Sequence, residues 1–172
     1  YHETIQVVEH PVSKAGLVED DGRFRIEADF LNHGVDNIGW RITEPSRRKF
    51  DSAKLAAAGV TGPLVRALME HGQLTIRDHM ITLDDVSVVR QGDSLAVIID
   101  TLPCKAAVEL TRDARLVLVE STYLEEHRDL AHRHHHLTAK QAATMAKEAN
   151  AQELILTHFS ARYLNVEDFV KE

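Results

Sequence analysis

The chain reads as an α/β protein, and three features of its sequence predict that class. From residue 86 onward, short apolar runs of strand length alternate with helix-patterned segments, as in layered α/β folds rather than separate all-β and all-α domains. Earlier segments at 24–30 and 37–43 alternate apolar with polar residues, the period of a half-buried strand. Three polar residues then stand where apolar runs stop: His33 ends 24–32, Asp100 follows 94–99, and His158 follows 153–157. Ligands of α/β proteins bind just beyond the carboxyl ends of strands. These positions are therefore the first candidates for chemistry.

Taken in order, residues 5–44 read as strands and turns. Residues 5–8 are a short apolar run. Residues 24–30 form a first clear strand, and 37–43 a second with Ile38, Trp40 and Ile42 on one face. Between them His33-Gly34-Val35-Asp36 makes a tight turn in which Gly34 can take a positive φ. Asp51 or Ser52 can cap a short helix that runs through Ala58 and stops at Gly59. Thr61-Gly62-Pro63 restarts the chain, with Pro63 suited to the first helical position and Gly72 to the stop. A buried strand at 96–99, a helix at 104–110 and a second buried strand at 115–119 follow. The helix at 138–150 has the firmest signals. Thr138 and Gln141 fit a capping box, and Ala142, Met145, Ala146 and Ala149 make one apolar stripe. Residues 153–157 are the third strand of this half.

Composition narrows the class. With 172 residues, 44% of them hydrophobic, the chain has material for one core and is expected to be a single domain or part of one. A formal net charge of −7 argues against coating nucleic acid with the whole surface. Residues 45–83 reverse that balance locally, with six Lys/Arg (Arg47, Arg48, Lys49, Lys54, Arg66, Arg77) against three acids (Asp51, Glu70, Asp78). On charge alone, such a stretch reads first as an ordinary solvated insertion. The one cysteine, Cys104, excludes an internal disulfide framework and fits a reducing compartment. No apolar run approaches the roughly 18 residues that span a bilayer. Tyr1-His2-Glu3-Thr4 lacks the layout of a signal peptide. The expectation is a cytoplasmic protein and, since residue 1 is not Met, a processed chain or a fragment.

Two histidines and an aspartate at strand ends form a ligand set suited to zinc or manganese. A carboxylate can bridge two cations while each imidazole holds one, the arrangement that activates water in paired-metal hydrolysis. Taken singly, Asp100 also reads as a turn cap and each histidine as structural. Glu120 follows the second buried strand and His136 precedes the long helix. A carboxylate beside an imidazole would orient it for proton transfer to a leaving oxygen. The plainer alternative has Glu120 solvating a strand end and Thr138 only capping. In His132-Arg133-His134-His135-His136, neighbouring imidazoles point different ways, so His136 alone is given a role and the other three are expected to be exposed. Arg162 is a candidate phosphate contact, because guanidinium reads phosphate oxygens bidentately.

Together these segments resemble ribonuclease Z, the tRNA 3′-end-processing endonuclease of the metallo-β-lactamase superfamily. Asn32-His33-Gly34 followed by Ile38-Gly39-Trp40-Arg41-Ile42 is similar to that family's histidine-ligand strand. Gly62-Pro63 resembles an element of its protruding tRNA-binding arm, and Asp100-Thr101 with Pro103-Cys104 its bridging-aspartate motif. Glu120-Ser121-Thr122 and His136-Leu137-Thr138 resemble its paired glutamate and histidine motifs, and Thr157-His158-Phe159-Ser160-Ala161-Arg162-Tyr163 its last ligand motif. The resemblance implies metal ligation by His33, Asp100 and His158, with Asp100 bridging. It implies that His136, oriented by Glu120, assists the leaving 3′ oxygen, and that Arg162 lies near the scissile phosphate. It makes 45–83, with Gly62 and Pro63, an inserted arm that grips precursor tRNA. It further implies two zinc ions per active site in the complete protein, with manganese or magnesium as alternatives, and a homodimer.

The family's H-x-H-x-D-H motif is absent, and its place would precede Tyr1. Val119 and Ser121 stand where the His-Glu-Ala-Thr motif has His and Ala, and Ile99 where a Gly often precedes the aspartate. The expected architecture is thus an incomplete metallo-β-lactamase-type αββα sandwich, its C-terminal portion without the N-terminal half. This chain alone is expected to turn over little or no substrate. Two other readings stay open: a related phosphodiesterase of the same fold, and a non-catalytic half that binds RNA or a partner chain.

Overall fold

The structure, a computed structural model, describes residues 7–172. The apolar run at 5–8 lies partly outside the described residues, and its Val7 and Val8 are exposed and in no strand. The chain divides into two compact units. One comprises the described residues up to Glu44 together with Asp93–Glu172, and the other is Pro45–Gly92.

The first unit opens with β1 (Gly16–Asp20), β2 (Arg25–Phe30) and β3 (Ile38–Thr43), an antiparallel meander. Asp21 builds the β1–β2 turn, its carboxylate accepting the N–H groups of Arg23 and Phe24 at 2.8 Å each. β2 and β3 pair in continuous register from Arg25↔Thr43 to Phe30↔Ile38. That register puts Trp40 opposite Ala28 and Gly39 opposite Asp29.

The second unit contains β4 (Arg47–Phe50), α1 (Ser52–Ala57), α2 (Pro63–His71), β5 (Gln73–Ile76), β6 (His79–Thr82), α3 (Leu83–Val86) and β7 (Ser87–Arg90). β4 pairs with β7 and β5 with β6, both antiparallel. Its helices start and stop as their residues predict. Asp51 caps α1 through the N–H groups of Ala53 and Lys54, Pro63 opens α2, and left-handed Gly72 closes it. Val60, Leu68 and Val86 form a small core of its own, flanked by Phe50, Leu55 and Leu74. The unit extends beyond residue 83 to Gly92, because β7 returns to pair with β4 (Arg47↔Arg90).

The first unit resumes with β8 (Ser94–Ile98), α4 (Lys105–Thr111), β9 (Leu116–Glu120), a 3-10 turn Glu125–His127, α5 (Arg128–Arg133), α6 (Ala139–Glu148), β10 (Glu153–Thr157) and α7 (Glu167–Lys171). Its six-stranded sheet runs β1-β2-β3-β8-β9-β10. β8, β9 and β10 are parallel, and β3 meets β8 antiparallel. The parallel strands need crossover helices, and α4 and α6 supply them. Both bury their apolar stripes on one sheet face, packing Ala107, Leu110, Ala142 and Met145 against Ala96, Ile98, Val117 and Val119. Gly39 lies under α4, where a Cβ would come 2.7 Å from Leu110 Cδ1. The expected Thr138–Gln141 capping box is present at the start of α6. Three strand ends of this parallel group, after β8, β9 and β10, define one rim of the sheet. Asp100, Glu120 and His158 stand there.

Candidate functional site

Each candidate side chain reaches the rim by a short turn leaving a strand. Asp100 follows β8 in the left-handed conformation (φ 56°), and His158 follows β10 in the same conformation (φ 59°). Non-glycine residues take this region rarely, though Asp and His do so more than most, and strained turns of this kind cluster at functional sites. The β8 turn is clamped by Asn37, whose Nδ2 donates to the carbonyls of Ile99 (2.7 Å) and Asp100 (2.5 Å). Asn32 crosses to the same turn, its N–H donating to Thr101 Oγ1 at 3.1 Å. His33 follows directly, leaving β2 by the turn in which Gly34 has φ 79°.

Glu120 ends β9 and is 0% exposed. Its carboxylate is surrounded by donors. Oε1 accepts the Thr101 N–H at 2.7 Å and faces His136 Nδ1 at 3.0 Å. Oε2 accepts the Thr122 hydroxyl at 2.5 Å and the Thr122 N–H at 3.3 Å. A buried carboxylate is tolerated only with such a shell. Glu120 therefore does not solvate a strand end, the plainer of the two sequence readings.

His136, His33 and His158 lie side by side, the His136 ring 5.0 Å from that of His33 and 5.3 Å from that of His158 between centroids. Asp100 Oδ1 sits among them, 3.4 Å from His158 Nε2 and 3.6 Å from His136 Nδ1. It is a buried oxygen with no hydrogen-bond partner. Two sets of ligand atoms lie mutually within 4.8 Å: His33–Asp100–His136 and Glu120–His136–His158. These sets bring His33, Asp100, His136 and His158 into one cluster with Glu120, although the expected trio His33–Asp100–His158 is not itself one of them. His136 belongs to both sets.

Arg162 is exposed, four residues after His158 in a turn where its N–H donates to Ser160 Oγ. Gly62 and Pro63 lie at the start of α2 in the second unit, Gly62 with φ 54°. Of the histidine run, His132 and His134 are exposed as expected. His135 differs. It is half-buried, its carbonyl lies 2.8 Å from His33 Nδ1, and its ring covers Gly34. Thr122, Thr101, Asn37 and Tyr163 also support the site without having been singled out. Tyr163 Oη accepts the Leu124 N–H at 3.0 Å and meets His127 Nδ1 at 2.9 Å. It thereby ties the turn that carries His158 to the segment after β9. Thr101, Thr122 and Tyr163 fall within the motifs quoted from the sequence, whereas Asn37 carried no signal.

Comparison with solved structures gives the class: the chain forms part of a metallo-β-lactamase fold. It superposes on the short form of human tRNase Z with a TM-score of 0.56 at 24% identity, covering 87% of this chain and 42% of that one. It superposes equally well (0.56, 15% identity) on a metallo-β-lactamase-fold protein from Bacillus subtilis, covering 95% of this chain and 46% of that one. Within that fold, what the sequence resembles is ribonuclease Z. It is 64% identical over all 172 residues to ribonuclease Z of Protochlamydia amoebophila, and 58% identical over 172 residues to that of Chlamydia trachomatis serovar D. It spans 56% and 57% of those proteins, just over half the length of the relatives it matches. No family model matches the chain.

Proposed function

We propose that the protein to which this chain belongs is a zinc-dependent endoribonuclease that removes the 3′ trailer from precursor tRNA. The observation that carries the metal part of this reading is Asp100 Oδ1. A buried carboxylate oxygen without a donor is costly, and imidazole nitrogens beside it offer a divalent cation the soft-to-borderline complement it prefers. His33, Asp100 and His158 would hold the cations. Bound there, such cations supply charge for the phosphate oxygens and lower the pKa of water.

The chain's own groups account for the proton. Attack of water on phosphorus, with one water proton released to solvent, breaks the bond to the 3′ oxygen of the mature tRNA, which leaves needing a proton. Protonated His136 offers one from Nε2, while Glu120 at Nδ1 orients the ring. The products are a free 3′ hydroxyl and a 5′-phosphorylated trailer. Arg162 supports phosphate positioning by virtue of its exposed guanidinium. The second unit, with Gly62 and Pro63 at the head of α2, serves as the tRNA-gripping arm. Phosphate contacts from such an arm position the substrate without reading its sequence. The family resemblance supports a homodimer and a cytoplasmic location. No helix among the described residues is long and apolar enough to cross a membrane.

The test pairs calorimetric zinc titration with cleavage of a precursor tRNA by the complete protein. Asp100→Asn is expected to weaken both by on the order of a hundredfold or more, since several kcal/mol of charge stabilisation depend on the carboxylate. Full zinc affinity and full cleavage in that variant would remove the basis of the assignment.

A further inference from the structure

Hydrogen-bond direction around Glu120 determines more than the pose of His136. Thr122 is 7% exposed and has one hydroxyl proton. Its Oγ1 lies 2.5 Å from Glu120 Oε2 and 2.9 Å from His158 Nδ1. Both Glu120 oxygens already receive backbone N–H groups, from Thr101 and from Thr122 itself. The carboxylate is therefore the acceptor, and the hydroxyl proton goes to it. The hydroxyl has then only lone pairs left for His158. Nδ1 of His158 therefore carries a proton, and in the neutral ring that leaves Nε2 bare.

We propose that Thr122 is a positioning residue that sets the tautomer of His158, presenting its Nε2 lone pair toward Asp100. The same device recurs around the site. His33 Nδ1 meets the His135 carbonyl and His136 Nδ1 meets Glu120, so each of the three imidazoles has its Nδ1 proton fixed from behind. For His158 the setter is a neutral hydroxyl that is itself oriented by a buried carboxylate. Glu120 thus acts on two histidines at once, directly on one and through Thr122 on the other. Without the hydroxyl, His158 Nδ1 has no acceptor, and the favoured proton position moves to Nε2, 3.4 Å from Asp100 Oδ1. That proton would occupy the space a cation needs. The tautomer stands on hydrogen-bond inventory alone, while its consequence for zinc rests on the metal reading above.

The experiment is long-range ¹H–¹⁵N spectroscopy of the metal-free complete protein, with zinc titrated by calorimetry. His158 is expected as the Nδ1–H tautomer in the native chain and in Thr122→Ser, and as Nε2–H in Thr122→Val. Zinc affinity should fall by about tenfold to a hundredfold in the valine variant, in line with the loss of an outer-shell partner, and recover with serine. An Nε2–H tautomer in the native chain overturns the inference, and that measurement stands even if Thr122→Val does not fold. So does an unchanged Nδ1–H tautomer in a folded valine variant. If the tautomers follow expectation but zinc binds none of the proteins, Thr122 keeps its role and the metal reading fails instead.

Discussion

At the residue scale, the site is built from side chains whose partners remove their freedom. Asp100 and His158 accept left-handed backbone, Glu120 gives up water, and Asn37 spends its amide on two carbonyls of one turn. Such arrangements are unfavourable taken singly and persist because neighbours over-determine them. Tyr163 shows how far the support reaches. Its hydroxyl is pushed above the ordinary tyrosine range by burial, with the Leu124 N–H acting in the opposite sense. A folded value above the unfolded one means that its contribution to stability is fully present below pH 10 and is lost as pH rises through the folded value. Tyr163→Phe leaves the Leu124 N–H without its partner and is expected to cost about 1 kcal/mol near neutrality. The gap between native and variant chains should narrow above pH 10, read by denaturant titration at several pH values. A gap that stays constant into strong alkali would show that the hydroxyl is not the group responsible.

At the scale of elements, the sequence was legible where a period persisted for several residues. β2, β3, β8, β9, β10 and α6 all lie where alternation, apolar runs or the Thr138 capping box predict them. β1 was not, since every one of its five residues is exposed and no apolar face marks it. β4, β5, β6 and β7 are four residues each, too short to establish a period, and they pair only with one another. The positions of Asp100, His33 and His158 were readable as strand ends. The burial of Glu120 was not, because a carboxylate closing a strand has the same letter whether it faces water or four donors. The second unit is the element whose role can be tested cleanly. It has its own core, and the chain enters and leaves beside the Glu44 N–H to Asp93 carbonyl bond of 2.9 Å. Over its full extent it carries seven Lys/Arg against five acids, a milder excess than 45–83 alone. Replacing residues 45–92 of the complete protein by a short glycine linker is expected to abolish precursor tRNA cleavage and to leave hydrolysis of a small phosphodiester within a few-fold. Undiminished tRNA cleavage would refute the arm, and loss of both activities together would assign the unit to the fold of the site instead.

At the scale of the whole molecule, the sheet of the first unit is written for burial on both faces. β8 and β9 read Leu95-Ala96-Val97-Ile98 and Leu116-Val117-Leu118-Val119 without polar interruption, the pattern of strands covered on each side. Ala96, Ile98, Val117 and Val119 meet α4 and α6. The strand registers place Ala28, Trp40, Val97, Leu118 and Ile155 in one row on the opposite face. A second row, Ile26, Ile42, Leu95 and Leu116, lies beside it. Ile155 in that face is 48% exposed, and Trp40, Val97 and Leu118 are only half-buried. A contiguous apolar patch of this kind drives association in water. The 172-residue chain by itself is therefore expected to self-associate, with the sedimentation-average mass rising with concentration and rising further in sulfate, which strengthens apolar burial. Trp40 is the only tryptophan and lies within the patch, so its emission should shift to shorter wavelength over the same concentration range. Leu118→Glu puts a charge at the centre of the row and is expected to hold the chain monomeric and Trp40 open to iodide quenching. A native chain that stays monomeric at high concentration and binds no apolar dye would mean that this face is not the sticky surface its residues describe.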